Sequence, residues 1–370
     1  MTDTLKVLLI ALAVMTALGL IVGGVLNHHI GGFIETVARE EEEARAREEA
    51  EGKKKTREHR AMITCISLNP SIDRTLSVER FTPGGLNRVL ASRDLAAGKG
   101  INVALTVSAL GLDAECIGFM YRDSASLFEK RLMVNSTAYD FIWQEGEART
   151  NIKVLVQSAG VVTELNESGR EVDADSLRQM TELVCRHAEN SDYLILSGSM
   201  PPGCPEDYYR TLIAAVDGLG CRCVLDADGE RLRYGLQAQP FMIKPNRFEL
   251  ETMTGRKLST IEQVRDAARK YIDMGVNVVA VSLGADGAMI LQDEDAFYAP
   301  RLNVEVKSTV GAGDSMVAAL VAGFMAEADL EEAFRMGMAC ATARCMTEGY
   351  KIVDKSVYRA LMDMVAVERI

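Results

Sequence analysis

Histidine is scarce in this 370-residue chain, with four, and tryptophan occurs once. None of the histidines stands at ligand spacing, and the eight cysteines include no Cys-x-x-Cys pair, so a zinc site is not expected. Cys221 and Cys223 are two apart and share a face if they lie on a strand; the cysteines read as reduced thiols of a cytoplasmic domain. An excess of basic charge is also missing. With 41 Lys and Arg against 53 Asp and Glu the formal net charge is −12, which argues against nucleic acid as a partner, because Lys and Arg supply most of that affinity. No repeat or low-complexity tract interrupts the main domain. What remains, 48% hydrophobic and 25% charged residues, is the composition of a globular protein with a real core.

Residues 7–26 form one long uncharged run, about the length that spans a bilayer. A signal peptide is the competing reading. The weak basic start (Lys6 only), the length of the run and the lack of an Ala-x-Ala site oppose it. Arg39, Arg45, Arg47 and Lys53 to Lys55 all follow the run, which orients it with the large domain in the cytoplasm. The expected organisation is therefore an anchor over 1–32, a charged stalk over 33–61, and a catalytic domain over 62–370. The stalk carries nine Glu and eight Lys or Arg without heptads, as a solvated helix or flexible segment would.

From 62 onward strand and helix patterns alternate. Strands are expected over 62–68, 115–119, 193–197, 221–226, 241–244 and 276–283, and a strand-like approach over 304–306. Helices are expected over 100–110, 173–190 and 205–219. Ser259 with Glu262 reads as a capping box opening a helix to Met274, and Asp329 with Glu332 opens another. Near-continuous apolar strands between helices predict a doubly wound α/β domain. Polar-faced strands at 75–81 and 88–92, and a β-rich stretch over 141–164, fall outside that sheet. They predict a small separate lid, from about 74–95 and 145–166.

Chemistry concentrates at strand ends. Ser308-Thr309-Val310-Gly311-Ala312-Gly313-Asp314-Ser315 is a glycine turn leading into an apolar helix. Such a turn aims free backbone N–H groups and the positive helix end at an anion, and Asp314 sets a carboxylate beside it. Read alone, it is equally a turn capped by Asp. Met316 stands where a dinucleotide fingerprint needs glycine, and there is no Gly-Lys-Ser/Thr of a Walker loop. Asp73, in Leu68-Asn69-Pro70-Ser71-Ile72-Asp73, follows the first strand and suits two sugar hydroxyls, or an Asx turn. Gly98-Lys99-Gly100 enters a helix carrying Asn102. Arg149, Asn151 and Lys153 share one strand face, either a solvated edge or a pocket for a phosphate. Asn246 and Glu249, in Lys244-Pro245-Asn246-Arg247-Phe248-Glu249, face one point, either as a helix cap or to hold Mg²⁺ through water.

In order and spacing, L-N-P-S-I-D, G-K-G-I-N-V-A, R-T-N-I-K, S-G-S-M-P-P-G, K-P-N-R-F-E-L-E, S-L-G-A-D-G-A and S-T-V-G-A-G-D-S resemble the PfkB (ribokinase-like) carbohydrate kinases over 62–370. They are most similar to the branch of 1-phosphofructokinase and tagatose-6-phosphate kinase. The resemblance breaks at Met120 to Ala125, where the family has a further glycine turn, and it does not extend to the first sixty residues. It implies a ribokinase-like core with a β-lid, ATP and Mg²⁺, a ketohexose phosphate as acceptor, and a homodimer formed through the lid. Asp314 would be the general base, and the Gly311, Ala312 and Gly313 amides the anion hole. Asp73, Gly98, Lys99, Asn102 and Asn151 would hold the sugar, and Arg88, Arg149 and Lys153 its existing phosphate. Lys244, Ser282, Gly284, Gly287 and Thr309 would bind the nucleotide, and Asn246 and Glu249 would organise the metal. Fructose 1-phosphate is the expected acceptor, with tagatose 6-phosphate or fructose 6-phosphate as alternatives. A catalytically silent sugar-phosphate sensor held at the membrane is the alternative from another class.

Overall fold

The computed structural model describes residues 62–348 and 351–370. The expected anchor and stalk lie outside the described residues. Among the described residues no helix is long and apolar enough to cross a membrane.

The chain runs β1 (Met62–Ser67), β2 (Ser71–Val78), β3 (Val89–Ala97), α1 (Lys99–Leu110), β4 (Asp113–Tyr121), α2 (Ala125–Val134), β5 (Ala138–Gln144), β6 (Arg149–Val156), β7 (Val161–Asn166) and α3 (Ala174–Ala188). It continues through β8 (Tyr193–Ser197), α4 (Tyr208–Ala215), β9 (Arg222–Asp226), α5 (Gly229–Gly235), β10 (Met242–Ile243), α6 (Arg247–Thr254) and α7 (Ile261–Asp273). The last elements are β11 (Val278–Ser282), β12 (Ala288–Gln292), β13 (Asp295–Ala299), α8 (Ala312–Met325), α9 (Leu330–Cys345), α10 (Lys355–Met362) and β14 (Glu368–Arg369).

Ten strands form one sheet in the order β14-β13-β12-β11-β10-β9-β8-β1-β4-β5. The run from β11 to β5 is parallel, and β12 to β14 add an antiparallel end. Successive strand side chains alternate between two cores, as the pleat requires: Val278 and Ala280 enter one, Val279 and Val281 the other. Helices α1, α8, α9 and α10 cover the first face, and α3, α4, α6 and α7 the second. This is an α/β fold with helices on both faces. At the carboxyl end of β1 the layers touch closely, because a Cβ on Gly100 would lie 2.2 Å from Ile66 O. Helix α8 is apolar nearly all round and buried from Asp314 to Gly323 between the sheet and α9. Its Gly323 leaves room for Ala333, whose Cβ would be 2.9 Å from an added methyl.

A second sheet, ordered β3-β2-β6-β7, has four strands. Register puts Asp73 beside Asn151 and Thr75 beside Lys153, so these face one way, while Arg74, Leu76, Val78, Ile152 and Val154 face the other.

Several local expectations are corrected. Residues 304–306 form no strand; their β-branched side chains line a cavity without a pairing partner. The cap of α7 is Thr260, one residue after Ser259: its side chain accepts from the Gln263 amide, while Ser259 N–H donates to Gln263 Oε1. Helices α2, α5 and α10 and strands β12 to β14 were not foreseen. At the break in the resemblance, Ser124 Oγ accepts from Ala148 N–H at 2.9 Å and ties that segment to the entry of β6.

Candidate active site

The parallel strands end at one edge, and most of the predicted residues converge there, Arg88 excepted. Gly311 adopts φ 80°, a left-handed conformation that favours glycine, and serves as the N-cap of α8. Of the three predicted anion-hole amides, Ala312 N–H is committed to Thr309 O at 3.2 Å, closing the turn. The amides of Gly313 and Asp314, in the first helical turn, are among those an α-helix cannot pair internally. Gly313 also leaves space for Lys244, since an added Cβ would meet its Cε and Nζ at 3.4 Å.

Asp314 is 5% exposed. Burial pushes its carboxyl above the usual range; Lys99 pulls it down, and Asp226 pushes it up again. Asn102 Nδ2 donates to Asp314 Oδ2 at 2.9 Å, so the side chain expected to hold sugar instead orients the carboxylate.

Asp226 was not anticipated. It closes the buried strand β9 and is 1% exposed, with Lys99 Nζ 3.1 Å from one carboxylate oxygen and Lys244 Nζ 3.4 Å from the other. Burial alone would raise its carboxyl, but the two lysines outweigh burial and hold it below the ordinary range. Lys99 is raised in turn, because Asp226 and Asp314 outweigh its own burial. Lys99 was expected to meet the substrate directly; here it belongs to a charge network of two lysines and two aspartates. The signal that could have found Asp226 is a lone carboxylate at the end of an apolar parallel strand, where such sheets place ligands.

Asp73 was expected to accept from sugar hydroxyls. It already accepts from Lys153 Nζ at 2.7 Å, Asn151 Nδ2 at 3.1 Å and Ser71 Oγ at 3.0 Å. Arg149 reaches Ser199 Oγ at 3.1 Å, Asn69 O at 3.3 Å and Glu167 O at 2.8 Å. Arg88 is exposed in the β2–β3 connection and does not join these groups. Gly98 has φ 140°, and an added Cβ would lie 3.1 Å from Ser67 Oγ, so it lets α1 begin against β1.

Three cavities meet the site. One of about 270 Å³ is lined by Lys99, Arg149, Asn151 and Asp226. Asn69 Oδ1, Asn151 Oδ1 and Ser197 Oγ, from residues lining it, are buried without hydrogen-bond partners, as at a site built for a polar ligand. A second, of about 500 Å³, lies between the small sheet and the turn, with Asp73, Lys153, Lys307 and Ser308 on its walls. The third, of about 490 Å³, gathers Ser282, Gly284, Gly287 and Thr309, together with Asn246. Leu302, Val304, Val306, Met338 and Ala341 give it an apolar wall that suits a planar heterocycle, with Arg301, Asn303 and Thr342 also lining it. No motif marked that wall. A larger cavity, about 970 Å³, sits at the opposite edge around Arg222 and Phe241 and contains none of the predicted residues.

Asn246 and Glu249 form a reciprocal capping box: Asn246 Oδ1 accepts from Glu249 N–H, and Glu249 Oε2 from Asn246 N–H, each at 2.8 Å. The cap reading is therefore correct. Among the described residues no cluster of three or more His, Cys, Asp or Glu stands ready to hold a metal. The half-buried Glu249 carboxylate, one oxygen of which takes the cap amide, is an oxygen donor suited to a hydrated Mg²⁺ rather than to a bare one.

A model of the pfkB family carbohydrate kinases matches residues 60–354. The chain is 37% identical to a 1-phosphofructokinase of Rhodobacter capsulatus, over 75% of this chain and 88% of that one. It is 32% identical to a 1-phosphofructokinase of Bacillus subtilis, over 78% and 93%. Phosphofructokinase-2 from Escherichia coli, in complex with substrates and products, superposes with a TM-score of 0.78 at 29% identity, covering 82% of this chain and 99% of that one.

Proposed function

Because the chain belongs to the pfkB family of carbohydrate kinases, we infer that it transfers the γ-phosphoryl group of ATP to the 6-hydroxyl of fructose 1-phosphate, giving fructose 1,6-bisphosphate and ADP. One observation carries the reading: a buried carboxylate, Asp314, lies in the first turn of a helix and shares a charge network with Lys99 and Lys244.

Asp314 accepts the proton of the acceptor hydroxyl as the new P–O bond forms, and its raised pKa suits that task. The Asn102 amide holds the carboxylate in one orientation. The Gly313 amide and the α8 N-terminus receive the equatorial oxygens of the transferring group. Lys244, fixed by Asp226, supplies positive charge beside them. Mg²⁺, when bound with ATP, neutralises phosphate charge; Glu249 and Asn246 would hold it through water.

On the acceptor side, Arg149 and Lys153 serve the existing phosphate. Asp73 and Asn151 serve the hydroxyls, exchanging the bond between them, and the one Asp73 accepts from Lys153, for bonds to sugar. The apolar cavity near Ser282 and Thr309 takes the base of ATP. A silent sensor has no need of a buried base, and Asp314 disfavours that alternative. The small sheet is read as a lid through which two copies pair. Residues 7–26 are read as a membrane anchor that leaves the kinase domain in the cytoplasm, on sequence grounds alone.

The test is an assay of the full chain with ATP, Mg²⁺ and fructose 1-phosphate, tagatose 6-phosphate and fructose 6-phosphate. Preference for fructose 1-phosphate is expected; turnover of none of them removes the kinase reading. Membrane pellets from fractionated cells should contain the full-length protein, and recovery in the soluble fraction at full mass would remove the anchor.

A further inference from the structure

Behind the anion-binding turn lies a cation that no motif announces. Arg344, in the last turn of α9, is only 8% exposed. Its guanidinium runs against Gly311, the cap of α8: a Cβ added to Gly311 would lie 3.1 Å from Arg344 Nε and 3.4 Å from Nη2. Any larger residue at 311 would push this group away. Nη1 donates to Thr347 Oγ1 at 3.0 Å, and that hydroxyl donates back to Arg344 O at 2.8 Å, so the guanidinium is fastened to its own helix end. Burying an arginine is costly unless negative charge answers it. Burial does press its pKa down, and the charge that presses back is Asp314. A second guanidinium, Arg131 of α2, is half-buried and donates to Ala96 O; desolvation and the repulsion from Arg344 lower its pKa to about 10. Two arginines from separate helices are thus each sustained by a carboxylate of the site, Arg344 by Asp314 and Arg131 by Asp73.

We propose that Arg344 is a positioning residue for phosphoryl transfer, a fixed cation pressed on the inner side of the Gly311 turn that keeps its amides aimed into the pocket and adds positive charge behind Asp314. The inference rests on Asp314 acting as the base. The groups around Asp314 are Lys99 and Asn102 from α1, Asp226 from β9, Lys244 after β10 and Arg344 from α9. Lys99, Asn102, Lys244 and Arg344 favour the carboxylate, and Asp226 opposes it. Removing one cation from this set favours the protonated acid, which cannot accept the hydroxyl proton.

The test compares Arg344→Met, which keeps the apolar stem and loses the charge, with Arg344→Lys, which keeps the charge. For Arg344→Met, kcat should fall roughly ten- to hundredfold while KM for both substrates moves less than about threefold, the split expected of lost transition-state positioning. Its acid limb of kcat should move to higher pH, and added guanidinium ion should restore part of the rate. Arg344→Lys should stay within about fivefold of the parent with its acid limb unmoved. A wild-type kcat and acid limb in Arg344→Met would overturn the proposal, as would equal impairment of both variants. If Arg344→Met does not fold, the acid limb of Arg344→Lys decides: unmoved supports the charge, shifted upward removes it. An inactive wild type removes the kinase reading itself. An active wild type, an inactive Asp314→Asn and an indifferent Arg344→Met remove only this inference.

Discussion

Asp314 joins a solvent-starved carboxylate to a helix N-terminus, and these two environments make opposite demands. Burial raises its pKa, whereas the helix end and the lysines stabilise the anion. Asp314→Asn should therefore lose about 10²–10⁴-fold in kcat while sugar and nucleotide still bind, since the side chain keeps its shape and loses only its basicity. In the parent, kcat should decline on the acid side above the pH expected of an ordinary carboxylate, and the same titration should be absent from the residual rate of Asp314→Asn. A variant with unchanged kcat would remove the assignment. Asp226 invites a second substitution. Asp226→Asn leaves Lys99 and Lys244 without their shared counter-charge, and each is free to repel the other or to swing towards Asp314. Steady-state kinetics should register a fall of roughly 10²-fold in kcat/KM, and parental kinetics would show the pair to be held by other means. Asp314 was legible because its turn has a distinctive composition. Asp226 and Arg344 were not, because the meaning of Asp226 comes from Lys99, 127 residues away, and Lys244 just after the next strand, and that of Arg344 from a helix packed behind the turn.

At the scale of elements, buried parallel strands and capped helices announced themselves through long apolar runs and Asx or hydroxyl caps, and β8 and β11 fell where such runs predicted them. Of the antiparallel strands, β12 and β13 follow one another without an intervening helix and β14 has only 2 residues; their partners are set by the sheet edge rather than by local pattern. Helix α2 hides for another reason: few of its residues are buried, chiefly Phe128 and Leu132. One contact among elements has a measurable consequence. His187, at the end of α3, lies 2.8 Å through Nδ1 from Glu115 of β4 and 3.0 Å through Nε2 from Asp140 of β5. With both ring nitrogens against carboxylates, the imidazolium is the form that donates twice. Its pKa is raised, by the Glu115 hydrogen bond first, with burial opposing. A raised folded-state value means this stabilisation is full below the unfolded pKa of about 6.5 and fades as pH rises through the folded value. Thermal unfolding should thus show the parent losing Tm over that rise relative to His187→Gln, with the two differing most on the acid side. Parallel Tm curves for both proteins would remove this account.

At the scale of the whole molecule, the small sheet poses a problem that the single chain leaves unsolved. Its face towards the site is occupied by Asp73, Thr75, Lys153 and Leu155. The other face carries Val78, Val154 and Val156 at its centre, and register adds Val89, Val161 and Leu165, each about half exposed. Half-exposed valine and leucine on a four-stranded sheet form the kind of patch that monomers seldom leave open. A second copy presenting the same face would cover it, with a two-fold arrangement satisfying both sheets at once. The exposed Arg74–Asp94 pair, joined by two hydrogen bonds of 2.7 Å on that face, would then sit inside the contact and set its register. Replacing Val161 and Leu165 together by Asp puts four charges into such an interface, two from each copy. Sedimentation velocity of the full chain should report a dimer for the parent and a monomer for the double variant. The variant should also lose activity, because an uncovered sheet no longer holds Lys153 and Asp73 steadily over the turn that carries Asp314. A parent that sediments as a monomer at micromolar concentration, or a double variant that remains dimeric, would remove the lid from the assembly.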